Sequence, residues 1–207
     1  MPDVIRGEDG LRRCSWGAAP PDYRAYHDDE WGRPVTDGVR ILEKVSLEGF
    51  QSGLSWLTIL RKRDAFRKAF AGFDPAKVAR FDESDVQRLL ADAGIVRHRG
   101  KIEATIANAR AALEIQRGGG SLAEIFWSHA PRGRRATPKH LTDIPASTPE
   151  STALSKGLRR LGFRFVGPTT AYAAMQSLGV VNDHLAGCAV RAACEEHRLA
   201  VFAGYVR

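Results

Sequence analysis

The chain has little cysteine, no long apolar run and no acidic excess, and each shortage excludes something. Three cysteines in 207 residues (Cys14, Cys188 and Cys194) are too few and too odd in number for a disulfide framework. In a reducing compartment that leaves metal ligation or simple burial as their uses. No apolar stretch approaches the roughly 20 residues that a membrane-spanning helix needs. The opening residues 1–10 also lack the organisation of a signal peptide, so a cytoplasmic location is expected. Alternating apolar and polar runs are missing, apart from Phe163–Val166, which is short enough to be a turn. There are no internal repeats. An all-α fold is expected.

What is present suits one globular unit. With 43% hydrophobic and 27% charged residues the composition is that of an ordinary folded protein, and the length suffices for one good-sized core. Lys and Arg outnumber Asp and Glu by 31 to 24, a formal charge of +7, which favours a polyanionic partner without requiring one. Helical periodicity dominates. Val86, Leu89, Leu90 and Ala93 mark one face of a segment starting at Asp82, with Gly94 as a left-handed stop. Ile102, Ile106, Ala109 and Leu113 repeat until Gly118-Gly119-Gly120, and Ser121 reopens a helix through Trp127. Thr148-Pro149-Glu150 is a strong start signal for a helix carrying Leu154, Leu158 and Leu161, ended by Gly162. The basic stretch 132–138 reads as a linker or a solvated loop. The expected division is an N-terminal extension over 1–11 that frays, a main domain over 12–190 and a polar tail over 191–207.

One carboxylate sits where an apolar residue belongs. A helix capped near Thr36-Asp37 and running towards Trp56 puts Ile41, Val45, Glu48 and Ser52 on a common face. A buried carboxylate is unfavourable by several kcal/mol unless paired, hydrogen-bonded or in a wet cavity. Glu48 therefore either reaches solvent, pairs with an internal arginine, or faces a ligand. Trp16, Tyr23, Tyr26 and Trp31 crowd into a short segment rich in Pro, Asp and Gly, and Trp56 lies eight positions past Glu48. Such rings are either core or a cage. On irregular backbone, with one carboxylate, they suit a flat cationic guest through stacking and cation–π attraction.

Two further patterns carry chemistry. Cys14 and His27 near the N-terminus, with His184 and Cys188 near the C-terminus, make up a two-cysteine, two-histidine set of the kind that holds a closed tetrahedral zinc. His184 and Cys188, four apart, would share one side of a helical turn; each half alone is equally a buried structural pair. The helix ending at Gly162, the turn Phe163-Arg164-Phe165-Val166-Gly167 and the helix opening at Pro168-Thr169-Thr170 suggest a helix-hairpin-helix, whose free first-turn amides attract phosphate. An ordinary helix corner fits the same residues. Arg97-His98-Arg99-Gly100-Lys101 is a second backbone contact or merely a charged helix start.

Taken in order, Cys14-Ser15-Trp16, the run Tyr23–Gly32, the run Leu47–Trp56, Ile95–Lys101, Phe163–Gly167 and Val181–His184 resemble the bacterial DNA-3-methyladenine glycosylase I family over residues 12–188. The resemblance implies a helix-hairpin-helix glycosylase fold and monofunctional hydrolysis that releases 3-methyladenine from alkylated double-stranded DNA. It implies a structural zinc on Cys14, His27, His184 and Cys188. It also implies that Glu48, Tyr26 and Trp56 hold an extruded base, with Trp16, Tyr23 and Trp31 lining or supporting the pocket. Leu54 matches a side chain that fills the gap left in the duplex. The hairpin, with Gly167, Thr169 and Thr170, matches the phosphate-gripping element, and from the basic stretch Arg99 and Lys101 are expected as further DNA contacts. The Asn182-Asp183 alignment leaves no general base assigned. A zinc-stabilised DNA-binding module without catalysis and a bifunctional glycosylase-lyase are the alternatives, and a monomer is expected.

Overall fold

The computed structural model describes residues 2–133 and 135–205; Met1, Arg134 of the linker and the last two residues of the tail lie outside it. The described residues form ten α-helices, a few short 3-10 turns and one short hairpin. The hairpin joins β1 (Val4–Arg6) to β2 (Arg12–Cys14), antiparallel, with Val4 opposite Cys14. This corrects two expectations: a small sheet exists, and the first dozen residues are tied down. The Arg13 guanidinium helps hold them, donating to Asp9 at 2.7 Å and Asp28 at 2.8 Å.

Then follow α1 (Pro21–Asp29), α2 (Gly38–Gln51), α3 (Trp56–Ala69), α4 (Pro75–Val78) and α5 (Glu83–Ala91). The second half contains α6 (Arg99–Arg117), α7 (Leu122–Ser128), α8 (Pro149–Arg160), α9 (Pro168–Ser177) and α10 (Arg191–Phe202). Capping chemistry sets most of the starts. Asp37, Ser55, Asp82, Ser121 and Thr148 each accept a hydrogen bond from a first-turn amide, and the last three close capping boxes. Tyr23 and Tyr26 are helical, contrary to the irregular backbone expected around them. The helix through Glu48 stops at Gln51, and Trp56 opens the next one. Helix α5 ends at Asp92, in extended conformation, so Gly94 is not a left-handed stop.

Helix α2 is the axis of the molecule. Every residue from Ile41 to Phe50 is buried, because α3, α6, α7 and α9 all pack against it. The face that carries Lys44 is therefore internal as well, and Lys44 is only 4% exposed. Phe50 of α2 tilts against Phe66, and Phe66, Phe70 and Phe73 stack in sequence, with adjacent ring centroids 4.6–6.3 Å apart. Full burial of each such ring contributes about 1.5–3 kcal/mol. Helix α10, placed in a polar tail by sequence, packs Val201 and Phe202 onto the same core, and Tyr205 just beyond it stacks on Trp127. Among the described residues no helix is long and apolar enough to cross a membrane.

Candidate active site and adjoining metal centre

Helix α1 builds both halves of the site. Tyr23, Tyr26 and His27 fall at spacings of three and four, so they lie on neighbouring parts of one face. The tyrosines face a cavity of about 320 Å³, within the range of small-molecule sites. Trp16, Trp31 and Trp56 join them, with Glu48 and Gln51 from α2, Ala173 and Gln176 from α9, and Leu141 and Ile144 from the segment before α8. The rings brace one another: Trp16 meets Tyr23 at 5.2 Å and Trp31 at 4.9 Å, and Tyr26 meets Trp56 at 5.4 Å, all tilted or edge-on.

Glu48 is 7% exposed. Among the described residues it enters no ion pair; the neighbouring ammonium of Lys44 donates instead to Glu30 at 2.8 Å. Burial pushes the Glu48 carboxyl up to about 7, with Lys44 and the Ser177 hydroxyl only partly offsetting that. Glu30 is the contrast. Burial disfavours its charge too, but Lys44 and Arg63 outweigh it and hold that carboxyl down to about 2. Of two nearby acids, the half-buried one is fully paired and the buried one is left facing the cavity. Burial and the Glu48 charge push both Tyr23 and Tyr26 above the ordinary phenol value, so both hydroxyls keep their protons. The Trp56 indole N–H is buried without a partner among the described residues.

The second half lies behind the rings. Ligand atoms of Cys14, His27, His184 and Cys188, all buried, fall within 4.8 Å of one another. The Cys188 Sγ is 3.7 Å from His27 Nε2 and 3.6 Å from His184 Nδ1. Nitrogen and sulfur ligands of a tetrahedral ion stand about 3.6 Å apart, so the spacing fits. The other ring nitrogens are engaged outside the cluster: His27 Nδ1 with Asp28 at 2.8 Å, and His184 Nε2 with the Trp31 carbonyl at 3.1 Å. Such outer contacts orient imidazoles towards a metal. The hydrogen bond between the two thiols pulls Cys188 down and pushes Cys14 up, so they share one proton that a metal would displace. His184 and Cys188 sit on an irregular loop with Gly187 at φ +83, not on the expected helical turn. Gly17 is required here, because a Cβ would lie 2.4 Å from the His27 ring. Trp16 and Trp31 pack edge-on against His27 and His184, so cluster and cage share a wall.

Helix α6 holds two loops in place. Leu54, 43% exposed, lies on the turn between α2 and α3, where Gly53 takes φ +83. The Lys101 ammonium donates to the carbonyls of Phe50, at 2.9 Å, and Ser52, at 2.6 Å, fixing that turn. Seven residues on, Asn108 clamps the turn between α8 and α9, accepting from the Arg164 amide at 2.7 Å and donating to its carbonyl at 3.2 Å. Ser155 adds a bond to the Val166 carbonyl. Phe163–Val166 is therefore a turn, not a strand. Gly167 caps α9 without a side-chain bond, leaving the first-turn amides of Thr169 and Thr170 without one. Arg99 is surface-exposed and paired with Glu83 and Glu103.

Asp183 stands apart from the cavity. Its Oδ2 accepts from Tyr172 at 2.5 Å and Gln176 at 2.9 Å, and its Oδ1 from Arg135 at 3.2 Å. Sequence reasoning missed Gln51, Leu141, Ile144 and Gln176 in the wall, and Asn108 in the turn; none stands out by type or spacing.

A helical scaffold that sets one unpaired acid against five large rings defines a protein that holds a flat guest in an aromatic slot. Known proteins say which. The methyladenine glycosylase family model matches residues 16–192. DNA-3-methyladenine glycosylase 1 of Escherichia coli is 51% identical over 181 residues, covering 86% of this chain and 96% of its own. A crystal structure of 3-methyladenine DNA glycosylase I superposes with a TM-score of 0.83 at 49% identity, over 86% of this chain and 98% of that one. A tyrosine-to-phenylalanine variant of 3-methyladenine DNA glycosylase I, solved in complex with 3-methyladenine, superposes at 0.82 with 35% identity, over 86% and 97%. The chain belongs to the methyladenine glycosylase family.

Proposed function

We propose that this protein releases 3-methyladenine from alkylated duplex DNA by monofunctional hydrolysis of the N-glycosidic bond. The observation that carries the reading is Glu48, buried and unpaired in a cavity walled by rings. Methylation at N3 gives adenine a positive charge and weakens its bond to deoxyribose, so the base is already a good leaving group. The enzyme needs to extrude the nucleotide, stack the base and favour its cationic form. Tyr26 and Trp56 hold the base, and Trp16, Tyr23 and Trp31 line or brace the slot. The Glu48 carboxylate accepts a hydrogen bond from the exocyclic amine and lowers the potential beside the cation. A charge in that slot draws the proton off Glu48, which its raised pKa otherwise retains near neutrality.

Leu54 fills the gap in the duplex, and the turn before α9 offers the amides of Thr169 and Thr170, with Gly167, to a backbone phosphate in helix-hairpin-helix fashion. Lys101 serves DNA binding by holding the Leu54 turn, and Arg99 supplies positive charge at the helix start beside it. Water is the nucleophile. No lysine lines the described cavity, which supports hydrolysis over a Schiff-base lyase.

Cys14, His27, His184 and Cys188 would hold a structural zinc ion, which with four protein ligands has no open position for substrate. Those residues join the N-terminal hairpin to the loop before α10 and back the cage. Residues 12–190 carry the activity, and the protein acts as a cytoplasmic monomer. Incubation with methylated DNA tests the reading. Free 3-methyladenine without strand breaks is the expected result, and binding without base release, or a borohydride-trapped adduct, would overturn it.

A further inference from the structure

Gln176 lines the base cavity from α9, the helix packed against α2, which carries Glu48 into the same cavity. Its side-chain amide is not free to turn. The Nε2 donates at 2.9 Å to Asp183 Oδ2, and that oxygen also accepts from the Tyr172 hydroxyl at 2.5 Å. Asp183 is 2% exposed and is held in turn by Arg135, which also donates to Tyr172 at 2.9 Å. A carboxylate accepts only, so it fixes which end of the amide points at it. The NH2 group must face Asp183, and the Oε1 is left as the polar atom on the cavity side.

We propose that Gln176 is a specificity-determining residue: Asp183 locks its amide so that Oε1 faces the base as an acceptor. With Glu48, this gives the slot two acceptors and no turnable amide donor at Gln176. An exocyclic amine carries two hydrogens and satisfies both. A guanine presents a carbonyl oxygen at the same ring position, and two acceptors facing it repel it and leave it unbonded. The asymmetry is strong, since a site built to hydrogen-bond a group rejects the analogue that lacks it. Asp183, Tyr172 and Arg135 are positioning residues on this account; they act through Gln176 and do not touch the base. The buried Asp183 thus has a use other than as a base for water.

The inference rests on the proposed base-release activity and is tested beside it. DNA treated to carry both 3-methyladenine and 3-methylguanine is given to the wild-type protein and to Gln176→Met, which keeps the length and loses the acceptor. The expected result is a fall of about tenfold in kcat/KM for 3-methyladenine, the loss of one hydrogen bond to a charged base. Release of 3-methylguanine, relieved of a repelling acceptor, should hold or rise, so the ratio between the two lesions narrows. Asp183→Asn, which lets the amide turn, should narrow the ratio in the same direction with Gln176 intact; if that variant does not fold, Gln176→Met still decides. A merely structural role would lower both rates together. An unchanged lesion ratio in Gln176→Met overturns the inference while the parent reading stands. Wild-type protein that releases no 3-methyladenine overturns the parent reading and this inference with it.

Discussion

The cage and the Cys–His cluster share helix α1 and a wall of indole rings, yet they are finished differently. In the cluster every polar atom has an assignment: both histidines bond outward, and all four ligand atoms converge. In the cage, among the described residues, a buried acid has no ion pair and an indole N–H has no partner. Unmet groups in a protein interior are unfavourable, and native structures hold few of them. The difference teaches where stability and activity are drawn from. The saturated region holds the fold together, and the unsaturated one waits for a ligand to complete it.

The comparison breaks most visibly at the cluster. Cys188→Ala should abolish metal binding and lower stability by at least ~3 kcal/mol, since it opens a buried ligand set. Metal analysis with a thermal melt checks this, and a chelator should shift the wild-type melt in the same direction. A variant that melts normally would remove the structural role.

Glu48→Gln should do the opposite to stability while reducing activity about a hundredfold or more. The folded carboxyl sits at about 7, against 4.5 for an ordinary glutamate. Between those values the folded protein holds a proton that the unfolded chain has released, so wild-type stability falls as pH rises from 4.5 towards 7. Above that the penalty is on the order of 3 kcal/mol. The Gln variant lacks it, and melts at about pH 5 and pH 8.5 should show the gain chiefly at the higher pH. In the wild type, kcat/KM should rise through a single ionisation near pH 7 as Glu48 becomes charged. An activity profile flat between about pH 5.5 and 8.5 would detach Glu48 from the mechanism.

Lys101→Met leaves two carbonyls unpaired, so a loss of about 2 kcal/mol is expected, with weaker binding of duplex. The smallest effect belongs to Leu54→Ala. Its side chain is exposed, so the melt should move by less than ~0.5 kcal/mol while kcat/KM on duplex falls several-fold. Binding of free 3-methyladenine, followed by indole fluorescence, should be unchanged in that variant.

Legibility followed the range of the interaction. Caps at Asp37, Ser121 and Thr148 act within three residues and could be read directly. The period of α2 exposed Glu48 as an acid on an inward face, which is a local statement as well. Tyr23, Tyr26 and His27 also carry helical spacing, but the prolines and glycines around them masked it. The N-terminal strand was missed because three residues paired with three have no periodicity to detect. Helix α10 was missed because its burial comes from contact with the core, far away in the chain, with Tyr205 just beyond its end stacked on Trp127.

By itself the amino-acid order determined the helical class, most helix starts, the set of ligand-type residues and the presence of one misplaced acid, since all of these are fixed by residue type and by neighbours within a few positions. Only tertiary structure decided that Lys44 pairs with Glu30 and leaves Glu48 alone, that Lys101 and Asn108 pin the turns before α3 and α9, and that Asp183 holds the amide of Gln176 at the slot. Each of those outcomes depends on which of several polar groups, distant in sequence, reaches a buried partner. Burial and geometry make that choice, and neither is written in residue type or spacing.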